Sequence, residues 1–464
     1  MRRALFLRAL LSTVLIAGGG AVSAQDRPPL STAIRAGDTD AVARLLKQRV
    51  DVNAAEGDGS TALHWAAYHD RLEVVDQLIR AGAHVNVAND LGATPLWAAS
   101  MNGTERIVSR LLQAGADPNL ALLAGETPLM VAARGGFAPV VSLLLSKGAK
   151  VDATATRRQT ALMWAVSRKH PAVTKLLIDA GASLHLKSAT WSQVMAVSPH
   201  GMLQYNADVP HGADTALLFA ARNGDLESAR ILVAAGANAD DADAWGVSAT
   251  ALAAHAGHTA IVELLLEKGA NPNTNGGGFT ALHAAVMRRD ERMVAALLAH
   301  GADPNAKVLH WTPTRRSSRD WNFNPELVGA TPYWLAARAL APAIMRMLVA
   351  RGADAHVVHH AVYHAGDPTE ERSQTTTPLM AAVGMGGGIP WVVIEPKERE
   401  ALTLETAKLA LELGVDINRR NDDGRTALDA ATRLRYSSVV AFLTERGGLP
   451  GAANGRNTAS AVNR

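Results

Sequence analysis

Short apolar segments of two kinds alternate along the chain. The segment "TALHWAAYHD" (61–70) is dense in small and apolar residues after a threonine. The segment "LEVVDQLIR" (72–80) carries leucine, isoleucine and valine at helical spacing. The pattern predicts a pair of short helices joined by a tight turn.

The first segment recurs at a fixed interval. Copies beginning at Thr61, Thr94, Thr127 and Thr160 are spaced by 33 residues, and a degenerate copy occupies 28–37. The later copies begin at Thr215, Ser248, Thr280, Thr331, Thr377 and Thr426. A second motif, seen as "AGAHVN" (81–86) and "AGADPN" (114–119), runs in phase with the first. The repetition predicts about eleven helix pairs.

The residue types at these positions suit stacked helix pairs. Thr61 is a good N-cap, and Pro95 stands at a first helical position, where no amide donor is lost. Paired alanines such as Ala66 and Ala67 keep the first helix thin, and Gly82 supplies the left-handed conformation that ends the second. No pair can bury its apolar face alone, so the pairs are predicted to stack into a solenoid.

On these two motifs the sequence resembles the ankyrin repeat family over roughly residues 28–447. The resemblance implies an all-α solenoid of about eleven helix-turn-helix units with β-hairpin-like fingers. It also implies a concave face lined by the first helix of each unit and by the fingers. The expected domain runs over 25–447 and a disordered tail over 448–464. His64 is then a hydrogen-bonding residue of a helix cap, without a catalytic role.

Four insertions interrupt the period, at about 186–210, 306–327, 357–374 and 386–402. Three lie in fingers between units, and the fourth lies between the two helices of one unit. Their aromatic residues include Trp191, Tyr205, Trp311, Trp321 and Phe323. Such residues either pack on the solenoid as a second layer or contact a ligand, and the sequence leaves both possibilities open.

Two further segments suggest site chemistry only weakly. The third insertion holds His356, His359, His360 and His364, and on a helix the pairs 356/360 and 360/364 would share one face, a spacing that can bind zinc. No cysteine and no HExxH motif accompanies them, so a solvated loop is favoured and no metal is predicted. "GMGGGI" (384–389) follows a first helix where a phosphate loop would follow a strand, which argues against a phosphate site.

Composition argues against several functional classes. Lys and Arg number 46 against 43 Asp and Glu, and the excess equals the three arginines Arg2, Arg3 and Arg8. The rest of the chain is formally neutral, which gives no electrostatic case for nucleic acid. The chain has no cysteine, so no disulfides are expected. No segment reaches about 18 apolar residues, so no membrane-spanning helix is predicted.

Residues 1–24 have the pattern of a secretory signal peptide. A basic start precedes the apolar core "ALLSTVLIA" (9–17), and "VSA" (22–24) offers small residues at the cleavage point. Arg2 and Arg3 leave the twin-arginine route open, although the general secretion route is favoured. We therefore expect a periplasmic or secreted protein.

The predicted concave face carries a column of arginines. Seven and eight residues after each motif threonine, seven positions are arginine, and none is lysine or acidic. Arginine complements the dipole at a helix C-terminus, but lysine would do so equally. Arginine with tryptophan and tyrosine is also typical of binding hot spots, and arginine grips carboxylates with two donors. The residues predicted to bind a partner are Trp65, Tyr68, His69, Arg134, Trp164, Arg168, Phe219, Arg222, Arg288 and Arg338.

The sequence thus predicts an exported, monomeric and non-catalytic binding module without a cofactor. Its expected partner is a protein whose acidic surface lies along an arginine strip with no intervening acid. The alternative is an exported enzyme or a small-molecule or metal-binding protein, with a site built by the aromatic and His-rich insertions. Titratable groups with shifted pKa values under the insertions would favour that alternative, and a dry aromatic cluster would favour the module.

Export predicts a cleaved leader. The exported chain should begin near Gln25, and mass spectrometry of protein recovered from the periplasm or the medium should find residues 1–24 missing. A Leu15→Arg variant, which interrupts the apolar core, should stay in the cytoplasm uncleaved. An exported protein with residues 1–24 intact would contradict the prediction.

Overall fold

The computed structural model describes residues 28–195, 207–312, 323–364, 371–388 and 391–451. The predicted leader and most of the predicted tail lie outside these ranges. At positions 195, 207 and 364 only the backbone is described. The chain folds as two compact units, which span residues 1–189 and 190–464.

The first unit contains five helix pairs. Its helices are α1 (Pro29–Ala36), α2 (Thr39–Lys47), α3 (Ala62–Tyr68), α4 (Leu72–Arg80), α5 (Pro95–Asn102), α6 (Glu105–Gln113), α7 (Pro128–Gly135), α8 (Ala138–Ser146), α9 (Ala161–Ser167) and α10 (Pro171–Asp179). The first helix of each pair, here called the inner helix, packs against the inner helix of the next pair. The second, outer helices pack side by side in the same way.

The second unit contains six helix pairs and two hairpins. Its helices are α11 (Ala216–Asn223), α12 (Leu226–Ala234), α13 (Ala249–Ala256), α14 (Thr259–Glu267), α15 (Ala281–Met287), α16 (Glu291–Ala299), α17 (Pro332–Arg338), α18 (Pro342–Val349), α19 (Pro378–Ala382), α20 (Pro396–Glu412), α21 (Ala427–Leu434) and α22 (Ser437–Glu445). Within the described ranges, the helices of the two units therefore form the eleven predicted pairs. The predicted repeat fold is confirmed: it is mostly helical, with two small two-stranded sheets.

The inner helices begin and pack as their residue types require. Thr94 has an extended backbone, and its hydroxyl accepts the amide hydrogen of Trp97 at 3.1 Å, while Pro95 occupies the first turn. Further along the same helix, Ala99 is completely buried. The small side chain leaves the neighbouring inner helix free to approach, so the cap and the contact surface are both set by the local sequence.

Two inner helices carry a histidine that links one repeat to the next. The His64 Nδ1 accepts the Thr61 amide hydrogen at 3.0 Å, and its Nε2 donates to the Ala93 carbonyl at 2.9 Å. His283 repeats this arrangement, with Thr280 at 3.1 Å and the Ala306 carbonyl at 3.0 Å. Both rings must be neutral and protonated on Nε2 to make these bonds. The predicted capping role of His64 is confirmed.

The second motif ends in asparagine because its side chain joins neighbouring repeats. The Asn53 amide donates to the Gly82 carbonyl at 3.1 Å and accepts the His84 amide hydrogen at 2.8 Å. We call this two-bond junction a seam, and it recurs at Asn86, Asn119, Asn273, Asn305 and Asn418. The Asn305 seam joins repeats across the second insertion, so the stack continues past it.

Successive fingers of the first unit are tied together by backbone hydrogen bonds. A finger is the loop that precedes the motif threonine of a repeat. The Asp58 carbonyl accepts the Asp90 amide hydrogen at 2.9 Å, and the Leu91 carbonyl accepts that of Leu123 at 2.9 Å. Ala124 and Arg157 continue the series, accepting from Thr156 at 2.8 Å and from Ala189 at 2.7 Å. The fingers therefore form a hydrogen-bonded ladder from the second repeat to the end of the unit.

The insertions add short structured pieces to the second unit. Strands β1 (Trp191–Met195) and β2 (Ala207–His211) pair antiparallel, as do β3 (His359–His364) and β4 (Glu371–Thr376). The second insertion includes a 3-10 turn over Pro325–Leu327. The fourth insertion leads into α20, which at 17 residues is longer than the other outer helices of the described chain.

The third insertion is neither the solvated loop that the sequence favoured nor a helix with histidines on one face, so both interpretations are wrong. His359, His360 and His364 lie in strand β3, in which Ala361 and Tyr363 are buried while His360 and Val362 are exposed. This alternation of two is the period of a strand packed on one side, which overrides any helical spacing. His359 points inward and is buried, so it does not share a face with His360.

The histidine caps predict a stability that falls in mild acid. Burial lowers the pKa of His283 from its ordinary 6.5 to about 4, and it lowers the pKa of His64 in the same direction. In the unfolded chain histidine takes up a proton near pH 6.5, whereas in the folded chain it resists protonation until about pH 4. The stabilisation is therefore fully present above pH 6.5 and is lost as the pH falls toward 4. Thermal melts at a series of pH values should show this fall.

A His283→Gln variant tests the cause. Glutamine at this position can still accept the Thr280 amide hydrogen, but it does not titrate. We expect a loss of about 1 kcal/mol at pH 7 for the bond to Ala306, together with a flatter pH profile. An unchanged pH dependence of the melting temperature would exclude His283 as its source.

Candidate functional site

The residues predicted to bind a partner all lie in inner helices or at their C-caps. Those in the first unit are Trp65, Tyr68, His69, Arg134, Trp164 and Arg168, and those in the second unit are Phe219, Arg222, Arg288 and Arg338. The structure thus places each group in the predicted helices. Their immediate contacts differ from the simple exposed strip that the sequence suggested.

Trp65 is buried beneath an arginine of the preceding repeat. The Arg35 guanidinium lies 4.1 Å from the centre of the Trp65 ring and forms an ion pair with Glu56 at 3.3 Å. Trp65 is 6% exposed, stacks on His69 at 6.0 Å and meets Tyr68 edge-on at 6.1 Å. Its side chain is therefore part of a packed aromatic cluster, and Tyr68 and His69 form the half-buried outer part of that cluster.

Arg134 repeats this arrangement three pairs further along the first unit. Its guanidinium lies 4.5 Å from the centre of the Trp164 ring and 2.8 Å from a carboxylate oxygen of Glu126. Burial raises the pKa of Glu126, and the nearby Arg134 charge opposes that rise. Burial also lowers the pKa of Arg134. The guanidinium is thus held in one orientation by a ring on one side and an acid on the other.

Arg222 in the second unit is flanked by two acids. It lies 2.8 Å from Asp214 and 3.9 Å from Asp243, and burial raises the pKa of Asp243. The prediction of an arginine strip without intervening acid is therefore wrong. Fingers supply the acids and inner helices the arginines, and folding brings the two together.

The acids could have been found from their spacing. Glu126 and Asp214 each stand one residue before a motif threonine, eight residues ahead of the arginine that they contact. Glu56 and Asp243 each follow their arginine by 21 residues, in the finger of the next repeat. These acids lie in the fingers, so the residue types at the inner-helix positions alone do not predict their contacts with the arginines.

Two further arginines of the second unit bind backbone carbonyls. Arg288 donates to the His255 carbonyl at 2.8 Å. Arg338 donates to the carbonyls of Gly386 at 3.2 Å and Gly388 at 2.9 Å. Burial, and secondarily the charge of Arg399, lowers the pKa of Arg338. The glycine-rich segment thus presents carbonyl oxygens to a cation, whereas a phosphate loop presents amide hydrogens to an anion.

Arg168 is the exposed cation of the column in the first unit. It stands at the C-cap of α9, close enough to Arg134 for its charge to lower the pKa of that residue further. In the part of the chain that the structure describes, no ion pair involves Arg168. It is therefore the member of the predicted set in the first unit that is best placed to meet an outside carboxylate.

The aromatic insertions form a cluster inside the second unit. Phe323 is completely buried and lies 4.8 Å from Phe279 and 5.0 Å from Trp391, measured between ring centres. Trp391 also meets His255 at 5.1 Å. Trp191 stacks on His211 across the first hairpin at 4.5 Å and remains 37% exposed. Tyr205 and Trp321 lie outside the described residues.

The buried titratable groups of the second unit serve packing and capping. The His359 ring lies 4.3 Å from the Trp334 ring and bonds the Glu326 carbonyl at 2.9 Å, and burial lowers its pKa. Within the described ranges, no group of three or more His, Asp or Glu side chains is arranged to hold a metal ion. In the same residues, no helix is long and apolar enough to cross a membrane.

Comparison with known families matches most of the chain to one repeat type. A family model described as "Ankyrin repeats (3 copies)" matches residues 8–89, 30–122, 96–188 and 204–308. A second model, described as "Ankyrin repeats (many copies)", matches residues 403–444. The matches fall on helix pairs of both units but leave the pair over 332–349 unmatched, and all four insertions are uncovered for most of their length.

Individual relatives are similar over shorter stretches. A putative ankyrin repeat-containing protein of Treponema pallidum (strain Nichols) is 42% identical over 90 residues, which is 19% of this chain and 30% of that protein. The putative palmitoyltransferase ZDHHC13 of Danio rerio is 29% identical over 190 residues, covering 40% of this chain and 22% of its own length. The chain thus matches less than a third of either relative. The crystal structure of the human ASB11 ankyrin repeat domain is 28% identical, with a TM-score of 0.44, and covers 53% of this chain and 100% of that one.

Replacing Arg338 should destabilise the second unit. An Arg338→Met variant keeps the apolar stem but leaves the glycine carbonyls without their donor, so we expect a loss of about 2–3 kcal/mol in urea unfolding. Arg346→Met, in the outer helix of the same pair, removes an exposed ion pair with Glu405 and should cost less than about 1 kcal/mol. Equal losses in the two variants would show that the carbonyl contacts contribute little.

Proposed function

Because the chain belongs to the ankyrin repeat family, we propose that it is a monomeric, non-catalytic protein–protein interaction module. It binds its partner on the inner face, meaning the face lined by the inner helices and the fingers. This is the concave face that the family resemblance implies. Of the residues predicted there, Trp65 is buried and Arg288 and Arg338 bind backbone carbonyls, so the partner contacts those that remain at the surface, Tyr68, His69 and Arg168 among them.

The observation that carries the proposal is the fixed orientation of the inner-face arginines. Arg134 is held between Glu126 at 2.8 Å and the face of Trp164 at 4.5 Å. A guanidinium that is already oriented loses little side-chain freedom when a partner docks, and arginines and aromatic residues in such surroundings are typical hot spots. The acids that neutralise these arginines thus also preorganise them.

The partner meets the inner face with an acidic surface. Glu126 neutralises Arg134, but Arg168 beside it is exposed and adds an unbalanced positive charge to the inner face of the first unit. A carboxylate of the partner can accept two hydrogen bonds from this guanidinium. Charge of one sign on a docking face speeds encounter with the opposite sign, and salt screens the effect.

The packing of the second unit supports binding in preference to catalysis. The aromatic insertions bury Phe323 against Phe279 and Trp391, which is the dry aromatic cluster expected of a scaffold. Among the described histidines whose pKa values burial lowers, His69 stacks on Trp65, and His64, His283 and His359 bond backbone carbonyls. A group held in this way is engaged in the fold and is poorly placed to take a proton from a substrate.

The protein acts outside the cytoplasm, in the periplasm or in the medium. Support comes from the basic and apolar pattern of residues 1–24.

Arg168→Glu tests the inner face. The protein is used to capture its partner from the native periplasm or medium, and association rates are then measured by surface plasmon resonance. Reversing this exposed charge should slow association about tenfold at low ionic strength, with a smaller effect in high salt. The circular dichroism spectrum should not change.

The matched control is Arg106→Glu, an exposed arginine on outer helix α6 of the same unit. It makes the same charge change away from the inner face, so association should remain within about twofold of wild type. Arg222 is less suitable, because its replacement also removes its ion pair with Asp214. Equal slowing by both substitutions would point to net charge alone and overturn the proposed face.

A further inference from the structure

The fingers of the first unit present equivalent positions of different chemistry. Three residues before the motif threonine stand Asp58, Leu91, Ala124 and Arg157 in four successive fingers. Their carbonyls form the ladder of hydrogen bonds to the next finger, so their order in the chain is also their order in space. We call these four residues and their immediate neighbours the finger row.

Along the finger row the side chains change from acidic at one end, through apolar in the middle, to basic at the other end. Asp90, beside Asp58, is exposed at the acidic end. In the middle, Leu91 is 36% exposed and Leu123 is 81% exposed. At the other end Arg157 and Arg158 are exposed, and the next finger adds the exposed Lys187. No acidic residue occurs in the sequence between Asp152 and Asp179.

Arg158 occupies a position that favours glycine. The corresponding residues of the three preceding fingers are Gly59, Gly92 and Gly125, with φ of 79°, 82° and 80°. Arg158 has φ of 54°, and Arg157 beside it has φ of 63°. A side chain in this left-handed region is strained where glycine is not.

An apolar cleft opens behind the middle of the finger row. It measures about 30 Å³ and is lined by the side chains of Trp65, Tyr68, Leu91, Trp97 and Leu122, among others. This is about twice the room that one water molecule needs. The lining is apolar, so the cleft suits the end of an aliphatic side chain better than a polar group.

We propose that the finger row of the first unit binds an extended protein segment with ordered chemistry. Basic residues of the segment lie at Asp58 and Asp90, an aliphatic residue enters the cleft beside Leu91 and Leu123, and acidic residues lie at Arg157, Arg158 and Lys187. This inference rests on the proposed function, because the fingers are part of the inner face. It deepens that proposal by naming the chemistry of the bound segment and by placing a specificity-determining contact on the fingers in addition to the inner-helix arginines.

The finger row carries charges of both signs, which favours a protein segment over a nucleic acid or an anionic membrane as the ligand. A nucleic acid or an anionic membrane carries negative charge along its whole length. Such a ligand would gain contacts at Arg157 and Arg158, but its negative charge would be repelled by Asp90. It would also offer no apolar group to contact Leu123. A peptide can match acidic, apolar and basic positions in one strand, and the order of its residues then decides whether it fits.

Synthetic peptides test this order. Neighbouring repeats lie about 10 Å apart and an extended chain advances about 3.3 Å per residue, so a segment advances about three residues per finger. The probe is a fluorescein-labelled peptide of about 12 residues with lysines at one end, leucines in the middle and glutamates at the other. Its reversed sequence covers the opposite chain direction, and a permuted peptide of the same composition alternates lysine with glutamate.

Fluorescence anisotropy with the full chain should show binding of one direction of the ordered peptide. The permuted peptide should bind at least about tenfold more weakly, and added salt should weaken the ordered peptide. Comparable binding of ordered and permuted peptides would overturn the proposal. Failure of every peptide to bind at millimolar concentration would also overturn it.

Arg158→Gly separates binding from stability. Loss of the guanidinium should weaken the ordered peptide about three- to fivefold. The melting temperature should rise, because glycine relieves the left-handed strain. A purely structural role for Arg158 predicts the opposite change in melting temperature. Leu123→Ser should weaken the peptide without altering the fold, and Arg106→Gln, on outer helix α6, is the control that should leave binding unchanged.

The same variants distinguish this inference from the proposed function. One outcome is that Arg168→Glu slows association of the captured partner while Leu123→Ser and Arg158→Gly do not. This outcome supports the inner-helix contact and overturns the finger-row contact. Sensitivity of that partner to the finger variants supports the finger row. If only the ordered peptide responds and no captured protein is sensitive to any of the three, the proposed inner-face function fails.

Discussion

The close approach of neighbouring inner helices is the constraint on which the rest of each unit depends. Alanines line this contact, and Ala66, Ala67, Ala132 and Ala133 are all completely buried. The hydrogen bond from His64 to Ala93 and that from Asn53 to Gly82 each join residues 29 apart in sequence. A bulkier side chain at an alanine position would separate the helices and lengthen both of these hydrogen bonds. The apolar packing and the polar contacts therefore depend on the same distance between helices.

The same spacing makes the inner face a composite surface. Arg35 of one repeat covers Trp65 of the next, and Arg134 covers Trp164 in the same way. No single repeat holds both the cation and the ring, and the acids that orient the cations come from the fingers. A binding surface of this kind exists only where at least two repeats are stacked, which ties its formation to folding of the array.

Much of this architecture could be predicted from sequence because its signals are local. The threonine caps, the prolines of the first turn and the alanine pairs lie within a few residues of the structure they specify, as Thr94, Pro95 and Ala99 illustrate. The acids that pair with the arginines are harder to predict because they lie in the fingers. Their positions eight residues before or 21 residues after the arginine are nevertheless regular in the sequence. The strand in the third insertion was also missed, since the burial of His359 against Trp334 depends on tertiary contacts.

The junctions between repeats differ in how many side-chain hydrogen bonds close them. An asparagine amide both donates and accepts, so Asn53 or Asn119 closes its junction with two hydrogen bonds. Asp152 and Asp240 stand at equivalent positions but can only accept, from Ser183 at 3.0 Å and Asn271 at 2.7 Å. Under a stretching force, a junction closed by an aspartate therefore has one side-chain hydrogen bond fewer to resist opening than a junction closed by an asparagine.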